Sequence, residues 1–294
     1  MTLISKKNKS IFELLIATSI WGFSFVATQW SLESFEVLNL MMLRFLPSAL
    51  LCIFIILIFP NLRKNVYYSD FYLSFFPGIL ISIALILQTK GLKLTNITHS
   101  GFITTLYIVF VPFIEFLFLR KKISLKHYFW VLISLIGAGL LTGISSFQGI
   151  NKGDLLTLLC AIAVSIQIII IDLQSTKIHS SLNYTIGQAL WAGLICLVAA
   201  YFGSESLNLP DWNLKPWFGL LFLGFCSTIF SFTLQVKAQK AISASTASVI
   251  FLLEAPFASL FALFFCDEKI TTQQSFGACL IIISAFAVVR IHRM

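Results

Sequence analysis

Charge is what this chain has least of. Only 11% of its 294 residues are Asp, Glu, Lys or Arg and 58% are hydrophobic, whereas about a quarter of the residues in a typical soluble domain are charged. A water-soluble fold of this length is therefore excluded. The groups that carry enzymatic and metal chemistry are scarce too. None of His99, His127, His179 or His292 is paired with a His or Cys at ligand spacing, and HExxH, P-loop and GxSxG strings are absent, so neither a metal site, a cofactor nor an enzyme is expected. Without a nucleotide-binding segment the chain cannot by itself be an ATP-driven pump. The six cysteines lie in or beside apolar runs without CxxC spacing and read as small packing residues.

What is present is a succession of long apolar runs. They fall near residues 11 to 32, 37 to 59, 71 to 89, 98 to 119, 127 to 145, 154 to 173, 183 to 203, 216 to 236, 244 to 266 and 272 to 290. These runs are too long for strands and lack alternation, and in lipid a helix satisfies every backbone hydrogen bond internally. The expectation is an all-α membrane protein of ten spans. The first run follows Lys6, Lys7 and Lys9; its length, with further spans behind it, reads as a first helix rather than a signal peptide.

Basic residues favour the cytoplasmic side of a membrane. A cytoplasmic amino terminus puts fourteen of the twenty Lys and Arg residues inside and five outside, and leaves Arg44 in the membrane. Both termini are thus expected in the cytoplasm, in a cell inner (plasma) membrane. The net charge of +8 is accounted for by these loops and requires no nucleic acid.

A proline-containing segment occurs twice. The turn after its first copy is basic, Arg120-Lys121-Lys122-Ile123, and the turn after its second is acidic, Asp267-Glu268-Lys269-Ile270. Opposite charge in equivalent turns suggests one unit inserted in two orientations. Other landmarks repeat. Leu38-Asn39 precedes Arg44 as Leu182-Asn183 precedes Gln188; Gln88-Thr89-Lys90-Gly91-Leu92-Lys93 resembles Gln235-Val236-Lys237-Ala238-Gln239-Lys240; Pro112 pairs with Pro256. A unit of five helices is odd in number, so residues 1–145 and 154–290 are expected to be two antiparallel repeats.

Together these features resemble the EamA-type transporters of the drug/metabolite transporter superfamily. The resemblance rests on Trp21-Gly22-Phe23-Ser24-Phe25, Arg44-Phe45, Gly91-Leu92, and Gly101-Phe102-Ile103 with Tyr107 and Pro112. In the second half it rests on Ser243 to Ser248, Leu253-Glu254-Ala255-Pro256, Asp267-Glu268-Lys269 and Gly277. It implies a secondary transporter, an exporter of small organic metabolites such as amino acids, in which a central site opens to each side in turn as two inverted bundles rock. Its partners would be the lipid bilayer and a small-molecule substrate. The rival from another class is a non-transporting scaffold or membrane-enzyme subunit. Two departures make the halves unequal: Lys121 stands at the place of Glu268, and Ala163 at that of Gly22.

Charges inside a membrane are costly and mark function by default. Arg44, Glu115 and Glu254 qualify. Glu254 lies two residues before Pro256, whose missing N–H frees a backbone carbonyl; a carboxylate there can bind a cation or a proton, or act as structural glue. Arg44 offers a fork of donors to a substrate carboxylate or phosphate, or to a protein acid. Glu115 lies near Arg120-Lys121-Lys122 and reads as structural. Gln88, Gln167, Gln188 and Gln235 supply amides, Gln188 at the repeat position of Arg44, and Trp21, Tyr107 and Trp191 supply flat faces with a polar edge. Pro112 and Pro256 are candidate hinges. The fifth and tenth helices, with Gly139 and Gly143 at GxxxG spacing, are expected away from the cavity; a homodimer interface and packing within the chain explain their small residues equally well.

Overall fold

The computed structural model describes residues 3–95, 97–121, 124–142, 151–203 and 213–291, which are helical throughout apart from turns and short connections. Ten principal helices follow in order. They are α1 (Leu3–Ser31), α2 (Val37–Ile58), α3 (Phe75–Leu92), α4 (Ile97–Leu119), α5 (Leu125–Thr142), α6 (Lys152–Gln174), α7 (Ser181–Phe202), α8 (Leu214–Ala238), α9 (Ala244–Phe265) and α10 (Thr272–Ile291). Nine of these are long and apolar enough to cross a bilayer. The exception is α5, whose apolar stretch Tyr128–Leu141 is shorter. Ten spans are therefore not established: residues 143–150, including Gly143 and the end of the expected fifth span, lie outside the described residues, as do Lys122 and Ile123.

The strongest helix contacts share one rule: each joins a helix of one half to a helix of the other. α1 packs on α8 and α9, and α6 on α3 and α4; α2 packs on α7, and α5 on α10. Exchanging the two halves maps this set of contacts onto itself. The chain spacing agrees. Helical segments begin at 97 and 244, 107 and 254, and 125 and 272, each pair 147 residues apart. The two non-glycine residues of positive φ, Arg120 at 53° and Asp267 at 54°, end α4 and α9 at that same spacing. Earlier in each half the spacing is 144, as for Val37 and Ser181. The prolines do not keep the register. Pro112 faces the position of Ser259 in the second half, and Pro256 that of Val109, so the two prolines sit one helical turn apart on an otherwise matched frame.

Both α4 and α9 are interrupted in the middle. α4 runs Ile97–Thr104 and Tyr107–Leu119; α9 runs Ala244–Phe251 and Glu254–Phe265. In α9 the cause is local: Pro256 has no N–H for the Leu252 carbonyl, which accepts instead from Ala255 N–H at 3.2 Å. In α4 the break is not at Pro112, which lies within the second segment. There the Thr105 hydroxyl takes the Phe102 carbonyl at 2.7 Å, and Ile108 and Val109 reach back only three residues, the local competition that hydroxyl side chains offer a helix. α8 is loosened differently, into a π-helical stretch at Phe222–Phe230.

Small residues set the closest helix approach. A Cβ on Gly137 would lie 2.8 Å from the Gly277 carbonyl oxygen and from Leu280 Cβ, and one on Gly277 would collide with the Gly137 oxygen and Leu141 N. Gly137 of α5 and Gly277 of α10 are thus engaged within the chain, by van der Waals contact rather than by any hydrophobic gain over lipid. Overpacking such a contact costs about 1–3 kcal/mol or more. Gly277→Leu should lower the melting temperature in detergent by several degrees, whereas Phe276→Leu, on the exposed face next to it, should leave it unchanged.

Candidate functional site

The interrupted helices bring their broken ends together at the centre of the molecule. Tyr107 is the first residue of the second segment of α4, and Glu254 the first of the second segment of α9. The Tyr107 hydroxyl donates to Glu254 Oε2 at 3.3 Å. Both line a cavity of about 50 Å³, together with Trp21, Ser24, Arg44, Gln88, Thr104, Gln167 and Gln235 and the apolar side chains Ile81, Leu85, Val164, Ile168, Phe232 and Phe251. Among the described residues, none of the lining comes from α5 or α10. The volume holds a few waters and is well below the roughly 300–1,000 Å³ of small-molecule sites.

Arg44 enters this wall from α2 and is only 3% exposed. Its Nε donates to Thr228 Oγ1 and its Nη2 to Ser227 Oγ, both at 2.9 Å. Trp21 Nε1 donates to the Ser227 carbonyl at 3.2 Å. All three acceptors belong to the π-helical stretch of α8, where the wider turn puts two consecutive hydroxyls before the guanidinium. Among the described residues no carboxylate forms an ion pair with Arg44, and no cation forms one with Glu254. A positive and a negative side chain thus share one cavity without being consumed by each other. Around them Trp21 packs against Phe232 and Phe251 with ring centroids 5.2 Å apart in each case, and Tyr107 stands edge-on to Phe251 at 6.3 Å, which leaves an aromatic wall beside the charges.

Amides complete the lining. Gln88 and Gln235, on α3 and α8, are 147 residues apart and both face the cavity. Gln88 Nε2 donates to Thr104 Oγ1 at 3.0 Å. Gln235 Nε2 donates to Gln167 Oε1 at 3.2 Å and to Gln239 Oε1 at 3.1 Å. Gln167 Nε2 and Gln235 Oε1 are buried with no partner, so a donor and an acceptor remain for a ligand or for water.

Of the side chains singled out in the sequence, Trp21, Arg44, Gln88, Tyr107, Gln167, Gln235 and Glu254 line this cavity. Gln188 and Trp191 do not. Trp191 turns away to donate from Nε1 to the Phe71 carbonyl at 2.9 Å and packs on Phe75. Gln188 is buried with Oε1 unpartnered, because the repeat places Leu80 and Ile81 where Arg44 finds Ser227 and Thr228. Ser24, Thr104, Phe232 and Phe251 were missed. Ser24 follows Trp21 by three residues on one helix face, and Thr104 and Phe251 hold equivalent positions immediately before the two breaks, so a register of 147 would have found them. Buried charge was also undercounted. Glu13 is buried and paired with Lys237 at 2.6 Å, and Asp70, fully buried, accepts from His179 N and Ser180 N at 3.0 and 2.7 Å at the start of α7.

Comparison with known proteins places these features in context. The signature of the EamA-like transporter family matches residues 8–143 and again 151–290. A chain from Archaeoglobus fulgidus named as an uncharacterized transporter is 30% identical over 276 residues, covering 94% of this chain and 84% of the relative. The uncharacterized transporter YoaV of Bacillus subtilis is 22% identical, over 95% of this chain and 96% of its own. A crystal structure superposes with a TM-score of 0.77 over 97% of this chain and 98% of the other at 14% identity, a likeness of fold.

The hydroxyl pair is what makes a buried guanidinium tolerable, and leaving such a group without acceptors costs about 1–3 kcal/mol per lost bond. Ser227→Ala with Thr228→Val should therefore destabilise the protein by that order, measured by thermal unfolding in detergent. Adding Arg44→Met to the pair should recover much of the loss, since an unmatched buried charge is the larger penalty.

Proposed function

The chain belongs to the EamA-like transporter family, and from that premise we propose that it is a secondary transporter exporting small zwitterionic metabolites, amino acids foremost, by alternating access. The observation that carries this reading is the unpaired Arg44 and Glu254 in one aromatic-walled cavity. Arg44 is suited to a substrate carboxylate, which its fork of donors can meet two atoms at a time. Glu254 is suited to an ammonium group or to a proton exchanged for it. The free donor of Gln167 and acceptor of Gln235 can orient the ligand, and Trp21, Tyr107, Phe232 and Phe251 offer an apolar face to its side chain. The cavity of about 50 Å³ must widen to admit any of these, which is what the two interrupted helices allow.

The exchange symmetry of the helix contacts supports an inverted arrangement of the halves, and with it the mechanism. Each half carries five helices; if all five cross the bilayer, the two-fold relation seen in the packing makes the halves antiparallel, with its axis in the membrane plane. The charge distribution supports an inner-membrane protein with both termini cytoplasmic. A homodimer through α5 and α10 draws no support from Gly137 and Gly277, which are already used within the chain.

Transport of labelled amino acids into inside-out vesicles tests the class of substrate. Glu254→Gln should reduce transport per folded molecule at least about tenfold, as loss of one charge-assisted contact does, and flatten its dependence on pH if protons are exchanged. Arg44→Lys keeps the charge but not the fork and should raise the concentration needed for half-maximal transport. A fully active Glu254→Gln with an unchanged pH profile removes Glu254 from the mechanism. Reporter fusions at both ends should read cytoplasmic.

A further inference from the structure

The broken helices α4 and α9 are tied to each other not only at the centre but also at both ends, by two carboxylates. At the face where α1 ends, Glu268, just after α9, accepts from the Ile97 backbone N–H at 3.1 Å with Oε1 and from the Thr98 hydroxyl at 2.7 Å with Oε2. It thereby caps the first turn of α4, whose N–H groups have no partner within the helix. At the opposite face Glu115, near the end of α4 and 1% exposed, accepts from the Ser245 hydroxyl in the first turn of α9. Ser245 is the repeat equivalent of Thr98, at the spacing of 147. The contacts are therefore two versions of one device. The acid itself has moved: Lys121 stands at the position of Glu268, and it holds Glu115 in place from Nζ at 2.7 Å while reaching Asp172 of α6 at 3.0 Å.

The two ties are at opposite faces. Ser243 and Thr246 share a groove with Lys7 and Val289, so the Glu115 tie is on the face that carries both described chain ends. Glu268 lines a vestibule of about 590 Å³ with Gln29, Glu33 and Lys93 at the far face. Other polar links brace helices that already pack together: Glu13 to Lys237 and Glu33 to Lys215 join α1 and α8, and Lys121 to Asp172 joins the α4 turn to α6. The links of Glu268 and Glu115 also join helices in contact, α9 and α4, but α9 packs most on α1 and α4 most on α6, so these two links lie across the boundary between those two pairs.

We propose that Glu268 with Thr98, and Glu115 with Ser245, are the two gates of the transport cycle, that one opens while the other stays shut, and that this structure has both shut. The proposal rests on the alternating-access reading and assigns it moving parts. They are α1, α8 and α9 against α3, α4 and α6, each group drawn from both halves of the chain. Arg44, Tyr107 and Glu254 lie between the gates, where either opening would expose them.

The test reads conformation separately from transport. A single reporter, Ser24→Cys in the cavity wall, is placed in a chain whose six native cysteines are replaced, and is labelled with a membrane-impermeant thiol reagent in right-side-out and inside-out vesicles. Thr98→Val with Glu268→Gln should raise labelling at least about tenfold from the vestibule face alone, the population shift that loss of a charge-assisted hydrogen bond produces. Ser245→Ala with Glu115→Gln should do so from the terminal face alone. Should either double variant fail to fold, Thr98→Val or Ser245→Ala alone should shift labelling in the same direction by less. Labelling that rises equally from both faces, or stays at the wild-type level, overturns the gates. Wild-type vesicles that transport amino acids while the variants behave so would keep the proposed function and remove the gates. One-sided labelling in a protein that moves no amino acid would keep the gates and remove the substrate.

Discussion

A backbone crossing lipid cannot leave its N–H and C=O groups unpaired, and the centre of this molecule is organised around two places where the chain interrupts its helices regardless. The breaks in α4 and α9 are tolerable because each faces protein. Around them the freed groups are met by tight turns, as with Leu252 and Ala255. A break of this kind gives a side chain a position no continuous helix provides, at the start of a new segment and aimed across the gap. Tyr107 and Glu254 hold these two positions and meet each other. The cavity and the hydrogen bond across it follow from those interruptions.

The two halves share a frame but divide the chemistry. Arg44 and Gln188 occupy equivalent places, yet only α8 offers hydroxyls to its neighbour, from a π-helical stretch that α3 lacks. The charge therefore sits on one side and an unsatisfied amide on the other. The end ties show the opposite outcome, in which the device is kept and its parts are redistributed. One half uses an acid in the turn after the broken helix; the other uses an acid inside that helix and a lysine in the turn. Both arrangements deliver a carboxylate to the first turn of the partner helix, because that turn's exposed N–H groups and adjacent hydroxyl require one in either half.

Much of this was legible from residue types alone. Helical membrane character followed from the lack of charge, and Arg44 and Glu254 stood out because a charge in lipid is rarely accidental. The likeness of landmarks in the two halves was legible too, but not the spacing of 147 at which their later helical segments begin. Pairing Pro112 with Pro256 was natural, since proline is the residue that breaks helices, yet only Pro256 adjoins a break. In α4 the Thr105 hydroxyl and a run of short-range hydrogen bonds do that work, a cause with no distinctive letter. Trp191 and Gln188 carried the right chemistry on the wrong face, which depends on how α7 is rotated against α3. Glu115 was read as structural beside the basic turn, and Lys121 of that turn does pair with it, but its contact with Ser245, 130 residues away, is a tertiary fact that no local pattern contains.

The smallness of the cavity is informative once the polar links are placed by depth. Along the α4–α9 seam there is a carboxylate tie at each face and one weaker hydrogen bond, at 3.3 Å, in the middle. A seam held only at its centre would pivot freely, and one held only at its ends would leave the centre open. Held at all three levels, it closes around a space too small for a metabolite. A ligand that takes Arg44 at one end and Glu254 at the other would compete with Tyr107 for the carboxylate and so loosen the middle tie first. The strain would then be carried by the two outer ties, which differ in strength, because Glu115 is buried beside a lysine whereas Glu268 is half-buried and relies on a backbone N–H and a hydroxyl. In the proposed cycle, which face yields first would thus be set by the chemistry that distinguishes the two halves, not by the frame they share.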